Sequence, residues 1–241
     1  MARGSSAKRG ALATLLVTAT VLFVALGVWQ VQRRAWKLDL IAGVEQRIHA
    51  RAQPAPGPAS WCDFSVETAA YTHVDVSGTL LNDREILVQA VTEFGAGFWV
   101  MTPLRTDDGW TVLINRGFVP QDRRVAESGR NGEASRATVT GLLRPSEPGG
   151  AFLRSNDPAN DRWFSRDVEA IAASRDLGVV APYFIDADST PNPSGFPVGG
   201  LTVVAFRNTH LVYALTWFSL AVLSGAGLWI MRRHHAGRGG N

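Results

Sequence analysis

Apolar residues are concentrated in two long uncharged segments of the chain. Ala11 to Trp29 contains nineteen residues without a charge, and Leu211 to Met231 contains twenty-one. A helix of about 20 apolar residues spans the hydrocarbon core of a bilayer. Both segments are therefore predicted to be transmembrane helices. The first is interpreted as a retained anchor rather than a cleaved signal peptide, because its apolar stretch is longer than that of a typical signal.

Basic residues beside the second predicted span indicate its orientation. Arg207 precedes this span, whereas Arg232, Arg233 and Arg238 follow it. Cytoplasmic flanks of membrane helices carry an excess of lysine and arginine. The pattern therefore predicts that both ends of the chain are cytoplasmic and that the central part is exported. The two flanks of the first span are almost equally basic, so they do not indicate the orientation of the chain in the membrane.

Between the two spans the pattern changes from helical to strand-like. Apolar residues at helical spacing predict that the first helix continues beyond the membrane, as far as a proline-rich linker at residues 53–58. Alternating apolar and polar positions then predict strands, and the Asp108-Gly109 turn predicts a hairpin. The predicted strands are Tyr71–Leu81, Glu85–Val91, Phe98–Arg105, Trp110–Val119, Ala137–Arg144, Pro182–Asp186 and Leu201–Arg207. Ser165 is predicted to cap a helix over residues 166–177.

These elements predict an α+β membrane protein in which two transmembrane helices frame a strand-rich, mostly antiparallel extracytoplasmic domain with one or two helices. The pattern does not choose among an open sheet, a sandwich and a barrel. The predicted segments are a cytoplasmic N-terminus (1–10), the first span (11–31), a juxtamembrane helix with the linker (32–57), the exported domain (58–207), the second span (208–231) and a cytoplasmic tail (232–241).

The composition and the missing motifs argue against several classes of function. The net charge is only +3, and the central part of the chain contains no long basic run, so nucleic acid is not an expected partner. The single cysteine, Cys62, cannot form an internal disulfide or a zinc site built from several thiolates. No motif of hydrolytic or phosphate-binding enzymes occurs, so we expect no catalytic residues and no enzymatic activity.

One histidine is a candidate ligand. His210 immediately precedes the second uncharged segment, and Tyr213 and Trp217 follow at helical spacing. An imidazole at this depth could bind the iron of a planar macrocycle, with the two aromatic rings packed beside it. It could equally be an interfacial histidine. The cations Arg33, Arg34, Lys37 and Arg207 lie at about the same level, where they could pair with the carboxylates of a macrocycle or with lipid phosphates.

An ordered set of motifs resembles one known family. Gly27-Val-Trp29-Gln30 with Arg33 and Trp36-Lys37 is similar to the entry motif of the SURF1/Shy1 cytochrome c oxidase assembly proteins. Further matches follow in the same order: Gly78-Thr-Leu, Thr102-Pro103-Leu104, Asn115-Arg116-Gly117, Asn156-Asp-Pro158, Pro182-Tyr183, and Asn208-Thr-His210-Leu211-Val-Tyr213 with Trp217. The resemblance covers about residues 27–217. Phe118 stands where a tryptophan is common in the family.

The resemblance implies a function. It implies a non-enzymatic membrane factor that binds heme a, with His210 as the iron ligand, and assists its insertion into subunit I of cytochrome c oxidase. The central domain is expected to face the periplasm or, in mitochondria, the intermembrane space. The short basic tail and an N-terminus unlike a presequence favour the bacterial inner membrane. Expected partners are subunit I, membrane lipid and, as a further candidate, heme a synthase. The expected heme site comprises His210, Tyr213, Trp217, Arg33, Arg34 and Arg207. The alternative is a membrane-anchored assembly scaffold that binds no heme.

Overall fold

A computed structural model describes residues 3–63, 65–123, 134–151, 153–189, 195–202, 206 and 208–236, with the side chains of residues 10–233 within those ranges. The chain divides into two compact units. The helical unit comprises Met1–Gly43 and Ala205–Asn241, and the strand-rich unit comprises Val44–Val204. The predicted strand at residues 201–207 falls mostly outside the described residues, and Leu201, Thr202 and Phe206 are not in a strand.

Two of the helices have the length and composition of membrane spans. Helix α1 is Arg3–Ile48 and helix α3 is His210–Ala236, and both are long and apolar enough to cross a bilayer. Large apolar side chains on their outer faces are exposed, as in Val21 at 64% and Val222 at 69%. A helix inside a soluble protein would bury such residues, so the outer faces indicate contact with lipid and anchoring in a membrane.

The strand-rich unit contains one short α-helix and four 3-10 helices among its described residues. Helix α2 is Val168–Arg175. The 3-10 helices are Pro58–Ser60, Asn82–Arg84, Gln121–Arg123 and Pro158–Asn160. The prediction that Ser165 caps α2 is wrong. Asp167 is the cap, because its carboxylate accepts a hydrogen bond from the backbone N–H of Ala170, whereas the Ser165 hydroxyl accepts from Gly150 and Asn156.

Seven strands form one sheet in the described part of the unit. The strands are β1 Gln53–Pro54, β2 His73–Leu80, β3 Ile86–Thr92, β4 Gly95–Thr106, β5 Thr111–Pro120, β6 Ser135–Pro145 and β7 Val180–Ala187. Their order is β1-β2-β6-β7-β5-β4-β3, with an additional pairing between β2 and β4. This additional pairing closes β2, β6, β7, β5 and β4 into a barrel, and β3 pairs with the first half of β4.

Most strand pairs are antiparallel, and the exceptions are β1 with β2 and β5 with β7. The fold class predicted from the sequence is therefore confirmed: terminal apolar helices accompany a strand-rich, mostly antiparallel domain. The predicted hairpin is also confirmed, since β4 and β5 are joined at Gly109, whose φ of +88° suits glycine. The predicted division into membrane and aqueous segments stays a prediction, because the apolar length of a helix does not fix where a bilayer begins.

Three apolar clusters support the described part of the strand-rich unit, and two of them are large. The first includes Val74, Leu104, Val112 and Ile185, contributed by β2, β4, β5 and β7. The second packs α2 on the sheet through Ile171, Phe184, Trp163 and neighbouring residues. Strand β5 is buried almost throughout, whereas β2 buries alternate residues. This difference arises because β5 contributes residues to both clusters.

Candidate functional site

Helices α1 and α3 pack antiparallel within the helical unit. Going from the start of α1 towards its middle, the contacts on α3 proceed from its end towards its start. The pairs are Leu16 with Gly227, Thr20 with Ser224, Phe23 with Trp217, Gly27 with Phe218, and Gln30 with His210. Van der Waals, aromatic and hydrogen-bonding contacts therefore follow one another along a single seam.

The spacing of the seam residues explains why the two helices can pack so closely. On α1 the less exposed positions include 16, 20, 23, 27, 30 and 34, which alternate steps of four and three residues. On α3 they include 214, 217, 221, 224 and 228, with the same alternation, and the seam residues Phe218 and Gly227 beside them. This repeat is typical of helices that cross at a small angle. Gly27 allows close approach, because a Cβ there would lie 2.5 Å from Cε1 of Phe218.

His210 is the first residue of α3 and lies at one end of the seam. Its backbone N–H donates to the side-chain oxygen of Asn208 at 3.4 Å. Its ring nitrogen Nδ1 lies 2.7 Å from Oε1 of Gln30, a side chain that is only 9% exposed. In the described part of the chain, the structure gives the other ring nitrogen, Nε2, no hydrogen-bond partner. The seam thus holds one edge of the imidazole, and no described residue engages the other edge.

The two aromatic residues predicted to accompany His210 lie in different surroundings. Trp217 is stacked on Phe23, with ring centroids 5.7 Å apart and an interplanar angle of 25°. Tyr213 is 54% exposed on the outer surface of α3. His210, Tyr213 and Trp217 follow one another at helical spacing, so they share one flank of α3. On this flank, Trp217 is part of the helix packing and Tyr213 faces outward.

The predicted cations differ in their surroundings as well. Arg34 is partly buried and follows Gln30 by one turn on the seam side of α1. Arg33 is exposed, and its guanidinium carbon lies 4.1 Å from the ring centroid of Trp36. Arg207 lies outside the described residues. Of the six residues predicted for the site, the structure therefore brings His210 and Trp217 into the helix seam and locates Arg34 near its end.

The partner of His210 is not among the predicted site residues. Gln30 belongs to the motif at the end of the first span, and the sequence alone gives it no role. A polar residue inside an apolar stretch is a signal that could have been used, because buried amides need a partner. Thr20 was missed for the same reason: its hydroxyl donates to the Ser224 hydroxyl at 3.0 Å in the middle of the helix pair.

A second polar cluster lies inside the strand-rich unit and was also missed. Its centre is the carboxylate of Asp186 on β7, which is 4% exposed. Arg144 donates to it at 2.8 Å, Arg166 at 3.1 Å, Asn115 at 2.8 Å and Thr202 at 2.9 Å. Arg166 also forms a two-pronged pair with Glu147. Although burial opposes the charged form, these carboxylates raise the pKa of Arg166 above its ordinary value.

This cluster explains the Asn115-Arg116-Gly117 motif. The Asn115 amide donates to Asp186, and its oxygen accepts a hydrogen bond from the backbone N–H of Gly117 at 3.1 Å. The β4–β5 pairing is irregular at this point, and Gly117 has a φ of +127° with the backbone of Val198 against it. The motif is thus a bulge that packs against another segment. Two arginines balance two carboxylates, so the cluster has a structural role.

A histidine connects the start of β2 with the segment that follows β7. Nε2 of His73 lies 2.8 Å from a carboxylate oxygen of Asp188, and Nδ1 lies 3.0 Å from the carbonyl oxygen of Ala50. Partial burial acts to lower the pKa of His73, but the hydrogen bonds to Asp188 and Ala50, with the charges of Asp188 and Asp75, raise it above its ordinary value. Among the described residues, no three histidine, cysteine, aspartate or glutamate side chains are grouped closely enough to hold a metal ion.

The paired helices and the strand-rich unit define the class of protein as membrane-anchored, and comparison with known proteins gives the family. The SURF1 family model matches residues 17–222. The chain is 35% identical to Surfeit locus protein 1 of Homo sapiens over 90% of this chain and 76% of that protein. It is 34% identical to the SURF1-like protein of Monosiga brevicollis over 97% of this chain and 92% of that protein. The chain therefore belongs to the SURF1 family.

Proposed function

We propose that this chain is a membrane-anchored assembly factor of cytochrome c oxidase that holds heme a on His210 and assists its insertion into subunit I. Family membership supports the role in oxidase assembly. The single observation that supports heme binding is the state of the His210 imidazole: Gln30 contacts Nδ1, and within the described residues Nε2 has no partner. A neutral imidazole bound to iron through one nitrogen commonly has the other nitrogen held in this way.

The surroundings of His210 fit a heme. The flank of α3 that carries His210, Tyr213 and Trp217 has two aromatic side chains that could pack beside a macrocycle. Arg34 lies one helical turn beyond Gln30, and Arg33 is exposed close by. Guanidinium groups bind carboxylates well, so these arginines are the candidates for pairing with the heme propionates. Bound heme would supply the iron, and the protein would supply its ligand, its orientation and its charge neutralisation.

We further propose that the protein lies in a bacterial inner membrane with its strand-rich unit on the outer side. Arg232 and Arg233 are exposed near the C-terminal end of α3, where cytoplasmic positive charge is expected. This orientation carries the His210 end of α3 to the outer boundary of the bilayer. Subunit I, membrane lipid and heme a synthase are the partners proposed at this level. We propose no enzymatic activity, because the heme would be transferred unchanged.

The test measures heme per protein by pyridine hemochrome, in full-length protein purified from cells that make heme a. We expect His210→Ala to lose most of its heme, because a methyl group cannot replace an axial imidazole. The matched control is His49→Ala, since the side chain of His49 is 71% exposed and lies beyond the uncharged part of α1. Equal heme in wild type and His210→Ala, or no heme in either, would overturn the proposal.

One observation favours the alternative, an assembly scaffold that binds no heme. The ring of Trp217 is already stacked on Phe23, so part of the proposed heme flank is used in helix packing. A scaffold would need the helix pair only as an anchor. The hemochrome measurement decides between the two functions, because the scaffold predicts protein without heme that still supports oxidase assembly.

A further inference from the structure

The amide of Gln30 is a buried polar group whose contact with His210 is specific. Gln30 is 9% exposed in a helix whose neighbouring side chains Trp29 and Val31 are 53% and 48% exposed. It therefore faces the helix seam, whereas its neighbours face away. Its Oε1 lies 2.7 Å from Nδ1 of His210, across 180 residues of sequence. This distance is that of a short, well-formed hydrogen bond.

We propose that Gln30 is the positioning residue of His210: its amide oxygen holds the imidazole as the Nδ1–H tautomer and presents the lone pair of Nε2 as the iron-binding atom. This inference rests on the proposed function for the identity of the ligand. The assignment of the tautomer itself concerns only the two side chains. The inference goes beyond naming His210 as the ligand, because it identifies Nε2 as the nitrogen that binds iron and Gln30 as the residue that determines the tautomer.

The chemistry follows from the donor and acceptor properties of the two groups. A neutral imidazole has one N–H donor and one lone-pair acceptor. An amide oxygen accepts and cannot donate, so the ring nitrogen facing it must carry the proton. Nε2 then carries the lone pair, which is the form that a metal binds. The hydrogen bond also fixes the plane of the ring and makes Nε2 more basic.

The geometry of the seam supports a positioning role for Gln30. Gly27 lies three residues before Gln30 and brings α1 close to Phe218, so the backbone on this side of the seam is held near α3. The Asn208 side-chain oxygen accepts a hydrogen bond from the backbone N–H of His210. Within the described residues, hydrogen bonds therefore fix both the backbone N–H and the ring Nδ1 of His210. Together they determine the direction in which Nε2 points.

The test begins with full-length protein without heme, labelled with nitrogen-15 in histidine and held in detergent at alkaline pH, where imidazoles are neutral. The nitrogen resonances show which ring nitrogen carries the proton, and the spectrum of His210→Ala assigns the signal among the five histidines. Gln30→Leu removes the acceptor at similar size, and Gln30→Glu restores an acceptor. Gln32→Leu is the matched control, because Gln32 is exposed and about 200° further round the helix.

We expect the Nδ1–H tautomer in wild type, Gln32→Leu and Gln30→Glu, and its loss in Gln30→Leu. Each protein is then titrated with ferric heme a. Gln30→Leu is expected to bind about 10- to 100-fold more weakly, the usual effect of removing the hydrogen-bond partner of a metal-binding histidine. Gln32→Leu is expected to bind as wild type does, and Gln30→Glu is expected to recover the affinity.

The two proposals fail in different ways. An Nε2–H tautomer in wild type, or the same tautomer in wild type and Gln30→Leu, would overturn the role of Gln30 whatever the heme content. The expected tautomers with no heme binding in any variant would confirm the Gln30–His210 assignment and overturn heme binding as the function. Gln30→Glu keeps the test decisive if Gln30→Leu fails to fold, because an acceptor at the same position should preserve the Nδ1–H form.

Discussion

Replacing Asp186 with alanine is expected to destabilise the strand-rich unit strongly. The Asp186 carboxylate is 4% exposed and compensates Arg144 and Arg166, whose side chains are 16% and 13% exposed. Without it, two largely buried guanidinium groups share the single charge of Glu147. Removing one partner of a buried ion pair typically costs about 3–5 kcal/mol. Because Glu147 keeps its two-pronged pair with Arg166, we expect the lower half of that range, about 3–4 kcal/mol.

Asp107→Ala provides a matched control on the surface. Asp107 pairs with Arg136 at 2.7 Å, almost the same distance as the 2.8 Å between Asp186 and Arg144. However, Asp107 and Arg136 are 53% and 72% exposed. Exposed pairs contribute about 0.2–1 kcal/mol, because water screens them. The two substitutions therefore remove the same side chain from pairs of almost the same length, and they differ in burial and in the number of partners, since Asp186 also accepts from Arg166, Asn115 and Thr202.

The assay is urea unfolding of the full-length protein in detergent, followed by tryptophan fluorescence. The free energy of unfolding is extrapolated to zero urea at constant slope. A total of about 5–15 kcal/mol is typical of a domain, so a loss of about 3–4 kcal/mol would move the midpoint clearly. The two variants are compared by their loss of free energy of unfolding relative to wild type. If the losses in Asp186→Ala and Asp107→Ala differed by less than about 1 kcal/mol, burial would not decide the strength of these pairs, and the structural role of the cluster would be refuted.

Two further predictions concern topology and pH. Alkaline phosphatase fused at Ala134 should be active and at Gly240 inactive, and the reverse activities would invert the proposed orientation. The raised pKa of His73 predicts that its contribution to stability is complete below pH 6.5, its ordinary pKa, and is lost as the pH rises through the raised value in the folded protein. The difference in free energy of unfolding between wild type and His73→Gln should therefore shrink above pH 6.5, and a difference that grew with pH would contradict the pairing with Asp188.

The strands could be predicted because each carries its own signal. Strand β2 alternates buried and less buried residues along its length, and the Asp108-Gly109 turn marks the hairpin between β4 and β5. The closure of the barrel could not be predicted, since it depends on pairing β2 with the distant β4. The sequence predicts a linker where β1 lies, because Pro54 lacks the N–H that an ordinary strand residue donates.

The candidate site shows the same division between local and long-range information. His210 could be identified because a titratable group beside an apolar stretch is unusual on its own. Its contact with Gln30 could not be read from the sequence, since the partner is 180 residues away. The sequence predicts Ser165 as a helix cap, because serine suits that position. Asp167 suits it equally well, and tertiary contacts with Gly150 and Asn156 engage the Ser165 hydroxyl elsewhere.

The polar contacts in the helix pair fix its register as well as its stability. Thr20 meets Ser224 in the middle of the seam, and Gln30 meets His210 at its end. Sliding one helix by a single turn, about 5.4 Å, would separate both pairs at once. The Thr20 and Ser224 hydroxyls would keep their hydrogen bonds to the carbonyl oxygens of Leu16 and Leu220 in their own helices, but the Gln30 amide oxygen would lose its contact with His210. A buried amide without a partner costs about 1–3 kcal/mol, so a bilayer of a different thickness would tilt the two helices together sooner than shift one along the other. The depth of the His210 ring along the pair is therefore a property of the protein and independent of the lipid that surrounds it.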